Sequence, residues 1–129
     1  MLVPQALAVG GSTVSVTSAT ASFDPTMGQI ATINYRVIGP DAASELRVRI
    51  FIRAAAALQG RLCNTSADYL VSTIYGPANR SVGNYTAIWN GKYANGANYA
   101  PGFYCYSISW SNPPVGAVNV PVEGYITIN

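Results

Sequence analysis

The chain has 129 residues, enough for one domain with a sizeable core. Half of the residues are hydrophobic and only 9% are charged, which excludes a disordered polymer and leaves Ser, Thr, Asn and Tyr to make the polar surface. A formal charge of +2 argues against nucleic acid or an anionic membrane as partner, and no apolar run nears the roughly 18 residues of a spanning helix, so membrane insertion is not expected.

Residues 2–11 read Leu-Val-Pro-Gln-Ala-Leu-Ala-Val-Gly-Gly, apolar and uncharged. Ala6-Leu7-Ala8 has the small-residue pattern of a secretory cleavage site, although no basic segment precedes it. We read residues 1–11 as an arm before a domain of residues 12–129, with Leu2, Val3, Leu7 and Val9 as candidate contacts to a partner. Residues 13–23 alternate and predict a strand with a bend near Ser18. Asp24-Pro25-Thr26-Met27-Gly28 is a turn, and residues 30–37 form a second strand with Ala31, Ile33, Tyr35 and Val37 on one face.

After the turn at Gly39-Pro40-Asp41 comes the clearest alternation, residues 45–53. Leu46, Val48, Ile50 and Ile52 share one face, while Glu45, Arg47, Arg49, Phe51 and Arg53 share the other. A slip of one residue would bury three arginines, so the register is firmly set. Arg47, Arg49, Phe51 and Arg53 make either a solvated strand face or a contact surface for carboxylates or a sugar, and an exposed Phe51 between arginines favours an interface. Residues 54–60 fit a short helical turn or the strand's end, residues 61–68 a loop, and residues 69–75 another strand. Gly76-Pro77-Ala78-Asn79 reads as a turn.

The stretch 84–108 predicts a β-hairpin. Its first strand ends at Trp89, with Tyr85, Ala87 and Trp89 on one face. Asn90-Gly91 and Asn95-Gly96 supply the positive φ angles of tight turns. Pro101-Gly102 then launches a strand through Tyr104 and Cys105. Ser111-Asn112-Pro113-Pro114 breaks the chain, and residues 115–122 and 124–128 supply one long or two short final strands. Short strands with turns at this spacing indicate an all-β protein, an antiparallel β-sandwich of about seven strands.

The residues for catalysis are sparse. With no His, the usual Ser-His and Cys-His pairs are missing. Asp24, Asp41, Glu45, Asp68 and Glu123 are mostly scattered in predicted turns and read as turn formers and surface. No metal or cofactor set emerges, and Lys92 reads as a structural loop residue. Cys63 and Cys105 are either two buried thiols or, in an oxidising compartment, a disulfide closing a long loop. Asn-x-Ser/Thr triplets at Asn64 and Asn79, both placed in loops, are potential glycan sites.

Trp89, Asn90, Gly91, Lys92, Asn95, Gly96, Pro101, Gly102 and Tyr104 follow the spacing W-N-G-K-x-x-N-G-x-x-x-x-P-G-x-Y. This resembles the hallmark of the FlgD-like immunoglobulin-type domain, a sandwich module of the flagellar hook-capping protein and of bacterial surface and secreted proteins. The stretch SFDPTMGQIATINYRV resembles that domain's opening turn and strand, so the resemblance covers both ends of the chain and not its middle. It implies an immunoglobulin-like sandwich. Asn90 and Tyr93 stand where the family commonly has Asp, so the resemblance does not carry a calcium site here. The expected role is a non-catalytic structural subunit of an extracellular or cell-surface assembly (filament, tube, sheath or surface layer). It would form a homo-oligomer or homopolymer through edge strands and the arm. The alternatives are a secreted or surface module that binds sugar or protein, and a virion structural protein.

Overall fold

The computed structural model describes residues 10–53 and 60–129. Leu2, Val3, Leu7 and Val9 of the arm lie outside the described residues, as do residues 54–59. The described chain folds into β1 (Thr13–Ala19), β2 (Ser22–Phe23), β3 (Ala31–Ile38), β4 (Ala43–Ile52), β5 (Leu70–Arg80), β6 (Gly83–Trp89), β7 (Gly102–Ser109) and β8 (Val122–Ile128). They form one sheet in the order β1-β3-β6 and a second in the order β2-β8-β7-β4-β5. All pairs are antiparallel except the short β2–β8 pair. In immunoglobulin terms these are the A-B-E and A′-G-F-C-C′ sheets, so the sandwich class expected from the sequence is the one observed.

The predicted first strand is cut in two. A register shift between Val16 and Ser18 marks a bulge at the expected bend. The Thr20 amide still bonds the Thr32 carbonyl of the small sheet at 2.9 Å, and the chain then crosses, so that Ser22 and Phe23 pair with β8 in the other sheet. Phe23 thereby enters the core between the sheets. Asp24 caps the following 3₁₀ turn, accepting from the Thr26 amide at 2.9 Å.

The core is assembled from the alternating faces. Ala31, Ile33, Tyr35 and Val37 of β3 meet Leu46, Val48 and Ile50 of β4, with Ile108, Ile126 and Trp89 between them. Two positions of β4 depart from the sequence reading. Ile52 is 41% exposed because it lies at the strand's end, whereas Phe51 is 1% exposed. Phe51 does point to the arginine side of the sheet. It is buried there in a small second cluster with Cys63, Cys105 and Tyr69.

Three boundaries are corrected. The strand β5 runs straight through Gly76-Pro77-Ala78-Asn79, which is no turn. It is an edge strand, where a missing proline N–H removes no ladder bond on the open side. Register shifts opposite Leu46 and Val48 absorb the irregularity, and Gly76 (φ 84°) passes so close to the Leu46 carbonyl that a Cβ would collide with it. The predicted hairpin is likewise no hairpin. β6 pairs with β3 in the small sheet and β7 pairs with β4 and β8 in the large one. Residues 90–101 therefore cross between sheets. Finally, residues 115–121 form turns, and one strand, Val122–Ile128, closes the fold.

Candidate functional site: the outer face of the five-stranded sheet

The predicted hairpin residues build a packing scaffold. The ring of Trp89 contacts Phe23, Tyr104 and Tyr99 at centroid separations of 5.5, 5.2 and 6.0 Å. Gly91 (φ 69°) presses against Phe23, whose ring would lie 2.9 Å from an added Cβ. Asn90 accepts from the Lys92 amide (3.0 Å), and Asn95 accepts from the Ala97 amide (3.0 Å) ahead of Gly96 (φ 88°). A small turn does exist inside the connection, where Tyr93 donates to the Ala97 carbonyl at 2.8 Å and Gly96 to the Tyr93 carbonyl at 2.9 Å. Lys92 donates to Asn98 Oδ1 (2.6 Å) and to the Pro25 carbonyl (3.3 Å), consistent with its structural reading. Past Pro101 and Gly102, Tyr104 donates its hydroxyl to the Ala100 carbonyl at 2.6 Å. That is the tyrosine corner of an immunoglobulin sandwich. Burial pushes the Tyr104 hydroxyl above its usual range, with the nearby Tyr93 and Tyr99 adding to it.

The other face of the large sheet is less ordinary. Alternation directs Arg47, Arg49 and Phe51 of β4 outward, with Phe103, Cys105 and Ser107 of β7 and Glu123 and Tyr125 of β8. Arg49 lies opposite Ser107 and Phe51 opposite Cys105. Cys105 lies opposite Tyr125, and Ser107 opposite Glu123. Residues 60–69 fold over part of this face. Cys63 and Cys105 are joined in a disulfide, with Cα atoms 5.9 Å apart.

Glu123 is the second anchor of this loop. Its carboxylate accepts from Arg61 Nε at 2.9 Å and Nη2 at 2.7 Å, and from the amides of Leu62 at 3.0 Å and Cys63 at 3.4 Å. Burial pushes the Glu123 carboxyl up. The hydrogen bonds from Arg61, Leu62 and Cys63, with the Arg61 charge, outweigh that and hold it below its ordinary value. Beneath the loop Arg49 lies 5.2 Å from the Phe51 ring centroid. Desolvation, reinforced by the charges of Arg47 and Arg61, lowers the Arg49 guanidinium from its usual range.

The predicted arginine stripe is thus divided. Arg49 and Phe51 lie at the covered part of the face, so the expected exposed phenylalanine between arginines is not there. Arg47 borders a groove with Glu45 at one end of the strand. Arg53 reaches the uncovered part, where its guanidinium stacks 3.7 Å from the Tyr125 centroid and 6.0 Å from that of Phe103. Phe103 is 63% and Tyr125 41% exposed. Sequence reasoning passed over both, although alternation from Tyr104 already puts Phe103 on the outer face. Of the glycan candidates, Asn64 lies in the loop and accepts from the Ser66 amide at 3.1 Å. Asn79 is exposed on β5 rather than in a loop.

No protein-family model matches the chain, and no curated protein matches it in sequence. In three dimensions it is similar to part of a D270A mutant β-glucosidase from Listeria innocua, solved in complex with laminaribiose, with a TM-score of 0.51 at 8% identity. The match covers 93% of this chain and 16% of that enzyme chain. At that identity the likeness is one of fold alone. No helix among the described residues is long and apolar enough to cross a membrane.

Proposed function

We propose that the protein is a non-catalytic structural subunit of an extracellular assembly, self-associating as a filament, tube, sheath or surface layer. The observation that carries this reading is the patch of Arg53, Phe103 and Tyr125. An exposed Phe and Tyr clamping an Arg is the side-chain combination that concentrates binding energy at protein interfaces. The partner we assign to it is a second copy of this chain. The low charge supports this, since a chain with only 9% charged residues and a formal charge of +2 has little to oppose contact between copies. β1 and β6 end the small sheet, and edge strands are templates for added strands. A disulfide is the mark of an oxidising compartment. The FlgD-like resemblance belongs to the same proposal, as a module used in surface and flagellar structures.

Sedimentation velocity and negative-stain imaging over a concentration series test it. The wild-type protein should form regular oligomers or polymers as concentration rises. Phe103→Asp should remain monomeric with an unchanged thermal midpoint, because Phe103 lies outside the core. A wild-type chain that stays monomeric at all concentrations overturns the reading, as does a Phe103→Asp chain that assembles normally.

A further inference from the structure

The groove at the other end of β4 calls for a separate account. It is a shallow, open groove of about 230 Å³ bordered by Glu45 and Arg47 of β4, Ser109 of β7, the following Trp110 and Ser111, and Asn119. Glu45 has φ 52°, the one non-glycine residue at positive φ among the described residues. The physical reason is a bulge. Ala43 and Leu46 both face the core, so one extra residue lies between them, and the register against β5 breaks there. Glycine takes such a position without strain, whereas a glutamate is costly in it. The Glu45 amide is held by Asn79 Oδ1 at 3.2 Å, and the bulge leaves Glu45 exposed at the wall of the groove. A strained residue at a concave site is the pattern from which function is inferred.

We infer that this groove binds a neutral carbohydrate, one pyranose ring of a glycan, independently of self-assembly. The chemistry of the walls selects that class. Glu45 accepts, Arg47 donates, and no ion pair joins them among the described residues, so both remain available for a ligand. One negative and one positive group cancel, which favours an uncharged ligand. Vicinal hydroxyls satisfy a carboxylate and a guanidinium together, since each hydroxyl both donates and accepts. Ser109, Ser111 and Asn119 add further groups of both kinds. Ser111 is fixed in place by its amide, which donates to the Ser44 carbonyl at 2.9 Å. Trp110 borders the groove from the core side, where it is buried and its indole N–H donates to the Ser12 carbonyl at 2.9 Å, so the polar walls carry the recognition. A peptide strand is the poorer occupant, because the groove lies against β4, whose backbone is already paired on both sides by β5 and β7. The volume falls below the range of drug-sized pockets and suits a single ring.

The test is a ¹⁵N-HSQC titration of the full chain with methyl pyranosides of glucose, galactose, mannose and N-acetylglucosamine, with glucuronate and acetylated dipeptides as controls. At least one neutral pyranoside should shift the amides of Glu45, Arg47, Ser111 and Asn119 in a saturable way. Glu45→Gly should weaken that binding roughly tenfold or more, by removing a charged hydrogen-bond acceptor. The same change should raise the thermal midpoint by relieving the left-handed glutamate. A second variant, Arg47→Met, should weaken binding without raising the midpoint. The inference fails if no neutral pyranoside shifts these amides. It also fails if the controls bind there more tightly, or if Glu45→Gly binds as well as wild type.

Discussion

Trp89 carries more of the sandwich than any other single side chain of the connection it begins. It is 2% exposed and touches rings from three other segments, so its replacement by Ala opens a cavity that no neighbour can fill by a rotamer change. Trp89→Ala should cost about 3–5 kcal/mol, read as a lower urea midpoint at an unchanged m-value. Its indole Nε1 is buried with no hydrogen-bond partner, so Trp89→Phe should cost much less than Trp89→Ala. A Trp89→Ala midpoint equal to wild type would place the structural weight elsewhere. The burial of Trp89 was legible in the sequence, because Tyr85, Ala87 and Trp89 keep a period of two and the strand has one buried face. Its neighbour Phe23 was not legible there. That contact exists only because the chain changes sheets between β1 and β2, and nothing in the local pattern of residues 18–23 says which sheet each half joins.

At the scale of the element, the loop of residues 60–69 is held twice, by the Cys63–Cys105 disulfide and by Glu123. The disulfide spans a sequence separation of 42 residues and should contribute about 4 kcal/mol by restricting the unfolded chain. Glu123 adds an acid-labile clamp. Its carboxyl is held below its ordinary value in the folded chain, so its stabilisation is complete above the unfolded value of about 4.3 and is lost as pH falls through the lower folded value. Glu123→Gln should cost roughly 3 kcal/mol at neutral pH, the low end for a broken buried pair because Arg61 keeps contact with water. The gap between the two proteins should close in acid, as wild-type Glu123 itself becomes protonated. Denaturation curves from pH 7 to pH 3 check this, and a constant gap would remove the clamp from the account. The sequence offered the cysteines as a pair, since two residues allow one pairing. It could not offer Arg61 with Glu123, which are brought together only when β8 pairs with β7 and sets Glu123 opposite Ser107. The same limit explains the misread hairpin. Asn95-Gly96 does encode a tight turn, but a turn signal does not state which sheets its flanking strands enter.

At the scale of the molecule, the two sheets are unequal, and both edges of the smaller one are open among the described residues. The class of fold was readable because β3 and β4 alternate cleanly over most of their length. The division into three and five strands was not, since it depends on which edges pair over long sequence distances. How the arm meets the sandwich is a matter of hydrogen bonds. The Gly11 amide donates to Asp41 Oδ2 at 2.6 Å, and the Asp41 amide returns a bond to the Gly11 carbonyl at 3.0 Å. Ser12 donates to the Asn112 carbonyl at 2.9 Å, while its own carbonyl accepts from Trp110. Gly11 therefore belongs to the sandwich, and a deletion that ends at residue 9 leaves all of these bonds in place. The deleted residues are apolar, and exposing them to water costs about 25 cal/mol per Å². If copies of the chain cover that surface with an open edge strand of a neighbour, removing residues 1–9 should abolish the concentration-dependent assembly while leaving the thermal midpoint within a degree or so. A fall in the midpoint of the monomer would mean that the arm packs on its own sandwich. Undiminished assembly would leave Arg53, Phe103 and Tyr125 as the sole connector, and Phe103→Asp alone would then suffice to give a monomer.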